Sequence, residues 1–397
     1  MTDADELRRQ RAVDGLALSE GVSHPRLDRI TRLACLALDV PMSAVTVLDH
    51  GLARFPSAQG FDPVSLPEDD TFCRSTIRDP GEEGPLEVSD AAHDARFRDL
   101  PIVRDGVQTY VGMPLRDHTG TPVATFCVFD RRSRELTPEQ REAFEDLAAW
   151  AERELVASTE MQQASRVQAS LLPSRPIRVG EWDVDGMCLP AMAVGGDFYD
   201  YEVTGGVLHV SLGDVMGKGT GAALIGAATR TALRGTSTAV AGGVDLGITI
   251  TQVARSLLDD LERAESFVTL IDLAIDLDTG LARFVDAGSG LLLLVRADGT
   301  PVRLSGRDRP LGILPDDYWE QLEVTVEPGD RLMLFSDGIL DLLPDPEAWP
   351  EAVGGWVAEA PDLPTLLTNA ARHVTDETAL DDITVVAIFR QTPELLA

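Results

Sequence analysis

Lysine is almost missing from this chain: of the 34 basic residues among 397, only Lys218 is not an arginine. Positive charge is scarce overall. Asp and Glu number 66, so the formal net charge is -32. Nucleic acid and anionic membrane surfaces both repel such a chain, whereas divalent cations are attracted to it. The plain reading of this acidity is solubility, so any functional claim must come from where particular aspartates stand. Cysteine is sparse: Cys35, Cys73, Cys127 and Cys188 are scattered, with neither a CxxC nor a paired spacing. That argues against a disulfide framework or a cysteine zinc site and fits buried thiols in a reducing compartment. The six histidines do not cluster either. Long apolar runs are lacking: the longest, around Leu291–Val295, is strand-sized, far below the ~18–20 residues that span a bilayer. The N-terminal segment from Met1 to Arg11 has no apolar signal core. A cytoplasmic protein without a membrane partner is expected.

What the chain does have is length for two domains. Leu27, Ile30, Leu33 and Ala34 form a helical stripe that Pro41 ends, and Val45–Leu48 and Val123–Phe129 are apolar strands separated by turn residues. Thr137, Pro138 and Gln140 then make a capping box with proline at the first helical position. Helix formers continue to about Leu172, where Pro173 and Pro176 stop them. Phe144, Leu147, Ala151 and Leu155 mark an apolar face that polar residues Ser158–Gln163 interrupt, which predicts a connecting helix that pairs in a homodimer through a broken coiled-coil seam. Beyond residue 177 the pattern turns to strands punctuated by Gly and Asp, with helices beginning near Gly219 and Thr249. The expected division is an extension over 1–20, a first domain over 21–136, the helix over 137–172 and a second domain over 173–392.

Four aspartates in the second domain abut apolar strands. Gly195-Gly196-Asp197-Phe198-Tyr199-Asp200 leads into a strand that turns at Thr204-Gly205-Gly206 and returns as Val207–Leu212, a hairpin signature. A fold point at Gly205 sets Asp197 opposite Gly213, with Asp214 next. Arg331–Phe335 ends in Ser336-Asp337-Gly338, and Asp381-Asp382 precedes the strand Ile383–Ile388; if these strands are antiparallel neighbours, their acids meet at one edge. Two carboxylates about 4 Å apart repel by roughly 4 kcal/mol at an effective dielectric near 20. Hard divalent cations with oxygen ligands remove that cost, and an all-carboxylate set suits Mg²⁺ or Mn²⁺ over zinc. Asp278-Thr279-Gly280 and Asp298-Gly299 read as plain turns.

In order, QASLLP (from Gln168), GGDFYD, GDVMGKG, PGDRLMLFSDG and DDITVV resemble the SpoIIE/RsbU branch of the PPM protein serine/threonine phosphatases, over about residues 165–390. The resemblance implies an αββα sandwich holding two Mn²⁺ or Mg²⁺ ions. Carried over by position, Asp214 bridges both ions, the Val215 carbonyl adds a ligand, and Asp197, Asp337 and Asp381 supply the other carboxylates. It also implies direct in-line attack on phosphoserine or phosphothreonine, without a phosphoenzyme. Asp382 falls behind the ligands. Lys218, in a glycine-rich loop before a helix, either contacts substrate phosphate, orients the loop or is an ordinary surface residue. Two positions depart from the family. Gly288-Ser289-Gly290 stands where many relatives have Gly-His, and Met216 stands where animal enzymes place a histidine proton donor.

The first domain resembles a GAF sensor over about residues 20–155, on DTFCRSTI (70–77), VSDAAHDARFRDLPIV (88–103) and YVGMPLRDHTGTPVATFCVFD (110–130). That implies an antiparallel sheet with flanking helices and a pocket. Cys73 reads as a core thiol, and His93 and Arg96 as loop-stabilising residues. The expected fold class is therefore α/β (α+β), GAF followed by PPM. The expected function is dephosphorylation of a phosphoserine or phosphothreonine protein, by analogy an anti-sigma-factor antagonist of STAS type, under control of the GAF domain. The alternative is a non-catalytic scaffold, against which the retained aspartates argue. A nucleotide cyclase, suggested by the likeness of GGDFYD to GGDEF, has no use for the downstream aspartates.

Overall fold

The computed structural model describes residues 3–16, 24–78, 84–376 and 381–392. It comprises two compact units, Met1–Gln163 and Ala164–Ala397. The expected boundary at residue 21 lies outside the described residues.

The first unit is built on one antiparallel sheet. Its strands run in the order Leu66–Pro67, Leu52–Gln59, Met42–Asp49, Pro122–Asp130, Thr109–Arg116, Leu86–Val88. Alternation along Pro122–Asp130 divides the core: Phe126 and Val128 face one side, Cys127 and Phe129 the other. On the first side lies the helix Pro25–Leu38, which buries Leu27, Ile30, Ala34 and Leu38 at helical spacing. It stops at Asp39 in the left-handed conformation, φ 54°, two residues before the expected Pro41. The helix Asp3–Gly15, within the stretch expected to be an extension, joins the same core through Val13 and donates a hydrogen bond from buried Arg9 Nη1 to the Leu48 carbonyl at 2.7 Å. The connecting helix spans Pro138–Leu171. Its capping box is reciprocal: the Thr137 N–H donates to Gln140 Oε1 and the Gln140 N–H to Thr137 Oγ1. The helix buries Phe144, Ala148, Ala151 and Leu155, with Phe144 stacked 5.3 Å from Phe126. Ala148 completes the fully buried stripe at a 4–3–4 spacing from Phe144, and the expected Leu147 packs half-buried against the same core.

The second unit has two antiparallel sheets. One runs Leu322–Thr325, Leu281–Ala287, Val268–Asp276, Val207–Val215, Phe198–Thr204. The other runs Pro301–Leu304, Leu292–Val295, Arg331–Phe335, Ile383–Arg390, Trp182–Leu189, Ile177–Val179. Leu208, Val210, Leu212, Ile271 and Leu273 of the first sheet share a core with Leu292, Leu334, Val385 and Phe389 of the second. Helices Thr220–Arg234 and Leu246–Arg263 pack on the outer face of the first sheet through Ala222, Leu233, Ile250 and Leu257. Helices Trp349–Glu359 and Leu363–Asp376 cover the second through Val353, Val357 and Leu366. The layers are therefore αββα. Among the described residues, no helix is long and apolar enough to cross a membrane.

Candidate metal centre

The hairpin that carries the first two aspartates pairs Thr204 with Val207 and Phe198 with Gly213. This register corrects the expected one by a residue. Gly205 and Gly206 both take positive φ, 58° and 81°, and form a two-residue loop instead of a turn centred on Gly205. Continuing the register sets Asp197 across from Asp214 itself, not from Gly213. In the other sheet Phe335 pairs with Val385, and the Ser336 N–H donates to the Thr384 carbonyl. The strands are antiparallel neighbours, so Asp337 leaves one strand where Asp381-Asp382 enter the next.

The four carboxylates feel one another. Asp197 is 1% exposed; burial, then the Asp214 charge, raises its pKa well above the usual range. Asp214 is pushed up to about 6, first by burial and then by Asp337 and Asp381. Asp337, at the surface edge, is raised by partial burial and by Asp381. Lys218 Nζ lies 3.1 Å from Asp381 Oδ1, and that bond raises the lysine pKa. Asp197 Oδ2 is buried without a hydrogen-bond partner. Such an acceptor is costly unless a cation meets it, and the surrounding donors are all hard oxygens. The residues thus fit Mg²⁺ or Mn²⁺. The set is looser than one ion's shell: among the described residues, only Asp14, Asp49 and His50, at the surface of the first unit, have three ligand atoms within 4.8 Å of one another.

Asp382, expected to fall behind the ligands, is bonded to backbone. Its Oδ1 accepts from the Ala191 N–H at 2.8 Å and its Oδ2 from the Gly196 N–H at 2.7 Å, so each oxygen holds the loop that delivers Asp197. The glycines of that loop have steric reasons. A Cβ on Gly195 would lie 2.3 Å from Asp382 Oδ2, and one on Gly196 2.7 Å from the Val215 carbonyl oxygen. The same crowding applies to Gly338, whose Cβ would sit 2.2 Å from the Asp382 carbonyl oxygen. Gly338→Ala must therefore push the two strand ends apart. We expect a destabilisation of about 1–3 kcal/mol by denaturant unfolding and a loss of metal affinity by metal titration.

Three positioning contacts have no counterpart among the expectations drawn from sequence. Gln168 donates from Nε2 to the Gly195 carbonyl at 2.7 Å and accepts the Gly195 N–H at Oε1, 3.1 Å. The QASLLP motif carries that signal, but the motif alone assigns its glutamine no role. Ser336 Oγ accepts from the Thr384 N–H and donates to the Asp382 carbonyl, stitching the two strand ends together. Arg234 anchors Asp200, its Nε 2.6 Å from Oδ2, with Arg230 Nη2 3.3 Å from Oδ1. Asp200 is therefore tied to the helix Thr220–Arg234. Asp278-Thr279-Gly280 and Asp298-Gly299 are turns, with Asp276 and Asp298 accepting from the Thr279 and Thr300 N–H groups. In the first unit His93 is bonded to Asp90 and Arg96 to Asp94 within their loop.

The second unit thus sets two layers of antiparallel sheet between helices, with carboxylates at one edge. Residues 204–391 match the family model for stage II sporulation protein E (SpoIIE), and residues 24–155 match that for the GAF domain. The chain thus carries a stretch that matches a GAF domain followed by a stretch that matches a SpoIIE-type domain. Asp197 and Gln168 precede the matched stretch. The chain is similar to phosphoserine phosphatase RsbU of Bacillus subtilis, 26% identical over 187 residues, 46% of this chain and 54% of RsbU. It is 25% identical to protein IcfG of Synechocystis over 263 residues, 58% of this chain and 41% of IcfG. It is 34% identical over 132 residues to the cyclic di-GMP phosphodiesterase PA2567 of Pseudomonas aeruginosa, 33% of this chain and 22% of that protein. The chain spans about half or less of the length of these relatives.

Proposed function

We propose that this protein is a metal-dependent protein serine/threonine phosphatase. The observation that carries the reading is the convergence of Asp197, Asp214, Asp337 and Asp381 from four strand ends, with a buried oxygen of Asp197 left unpartnered. In this reading those four carboxylates and the Val215 carbonyl hold two Mn²⁺ or Mg²⁺ ions. When bound, such ions supply Lewis acidity that makes water nucleophilic at neutral pH and offsets phosphoryl charge. Asp382, Ser336 and Gln168 keep the ligand loops in place. Lys218 exchanges its bond to Asp381 for the incoming phosphoryl group. Met216, 44% exposed, has no proton to give, so the departing alkoxide is protonated by water or by another group.

The substrate is a phosphoserine or phosphothreonine protein. The similarity to a phosphoserine phosphatase, RsbU, supports phosphoserine as the target; in this reading the phosphoprotein is an anti-sigma-factor antagonist of STAS type, by analogy with the SpoIIE/RsbU branch that the sequence motifs resemble. In the same reading the GAF domain, over 21–136, regulates the catalytic domain, over 173–392, through the helix over 137–172, and the helices pair in a cytoplasmic homodimer. A non-catalytic scaffold would have no reason to hold mutually repelling carboxylates together. The test is release of phosphate from a phosphoserine protein by the full chain with Mn²⁺, with Mg²⁺ and with chelator. Release should require the metal; equal release in chelator, or none with either ion, sinks the proposal.

A further inference from the structure

A cavity of about 170 Å³ opens in the first unit, between the strand Leu52–Gln59 and the loop that leads into Phe72. Four phenylalanines share its walls with Val64, Leu66, Ile102, Thr71 and buried Cys73. Phe55 and Phe61 meet edge-on at 5.5 Å and 87°, Phe61 and Phe129 at 6.2 Å and 85°, and buried Phe72 lies beside Phe129. Among the described residues, the charged groups of the lining are Asp62, exposed, and Asp70, half-buried, and no basic residue contributes. The guanidinium nearest in sequence, Arg74, is bonded to Asp69 at 2.8 Å.

These features restrict the occupant. A dry apolar cavity of ~150 Å³ holds one benzene ring, so the space of about 170 Å³ within these walls matches a single ring with a short chain. Phosphate or carboxylate groups would face two carboxylates and find no counter-charge. A cation gains twice, from the carboxylates and from the negative faces of the phenylalanine rings. We propose that the cavity binds a one-ring arylalkyl ammonium ion, its ring among Phe55, Phe61, Phe72 and Phe129 and its ammonium toward Asp62 and Asp70. This inference is independent of the phosphatase reading.

Calorimetric titration of the full chain with 2-phenylethylammonium and with phenylacetate tests it. The two probes share a ring and differ in charge. We expect saturable 1:1 binding of the cation, at least about ten-fold tighter than the anion, that ten-fold corresponding to one carboxylate contact of roughly 1.4 kcal/mol. Asp62→Asn with Asp70→Asn should erase the preference. Val64→Trp, at a lining position that is 66% exposed and outside the core, should block both probes without changing the thermal melt. Three results would overturn the proposal: no binding of the cation at millimolar concentration, equal affinity for the two probes, or cation binding indifferent to both sets of variants. The last would place the cation on the acidic surface at large.

Discussion

Asp214→Asn should abolish metal-dependent phosphate release and, in chelator, make the protein more stable. The two effects share a cause. Asp214 stands across the hairpin from Asp197 and feels Asp337 and Asp381 as well. Without metal its charge is a liability: a pair of carboxylates ~4 Å apart costs roughly 4 kcal/mol at an effective dielectric near 20, and partial protonation relieves some of it. Asparagine keeps the shape and removes the charge, so the chelated variant should melt higher than wild type by several degrees. With Mn²⁺ the order reverses. The proposed bridging carboxylate is gone, and loss of a direct ligand should exceed the ~10–100-fold cost of losing an outer-shell partner. We expect kcat/KM to fall by more than about 100-fold, and saturating Mn²⁺ to raise the melting temperature of wild type but not of the variant. Asp337→Asn should behave alike with a smaller gain in chelator, because Asp337 is exposed. Unchanged activity in both variants would remove the basis of the proposed metal centre.

Asp382→Ala should lower activity strongly at limiting Mn²⁺ and, unlike Asp214→Asn, be destabilising in every condition. Asp382 is 4% exposed, and each of its oxygens accepts a backbone N–H. Alanine leaves those of Ala191 and Gly196 without acceptors, at about 1–3 kcal/mol each. The released loop carries Asp197, so metal affinity should drop by about 10–100-fold, the range for an outer-shell partner. Excess Mn²⁺ should restore much of the rate, because no direct ligand has been removed. Urea unfolding with and without Mn²⁺, alongside rate against metal concentration, separates the two variants. A variant inactive at every Mn²⁺ concentration would place Asp382 among the direct ligands instead.

Much of the fold is encoded locally. Turn glycines, capping residues and period-two strands act over a few residues, which is why the hairpin at Gly205-Gly206, the capping box at Thr137 and the stop after Leu171 are legible in the amino-acid sequence. The one-residue difference in hairpin register arises at the same level: the loop conformation depends on both glycines adopting positive φ, and the sequence permits either count. Positioning residues are harder to read. Gln168 reaches Gly195 across 27 positions, and Asp382 reaches Gly196 across 186. No local pattern encodes a partner that far along the chain.

The scarcity of positive charge, the absence of a membrane-length apolar run and the four aspartates each set beside an apolar strand belong to the sequence alone, because composition and periodicity need no partner. Which carboxylates share a site was decided only by tertiary structure. Asp382, identical in type to its neighbour Asp381 and one residue away, accepts from the Ala191 and Gly196 N–H groups, while Asp381 meets Lys218. The burial of Asp197 likewise follows from closing one sheet over the other. The difference between a ligand and its support is a matter of direction, and direction is set by packing.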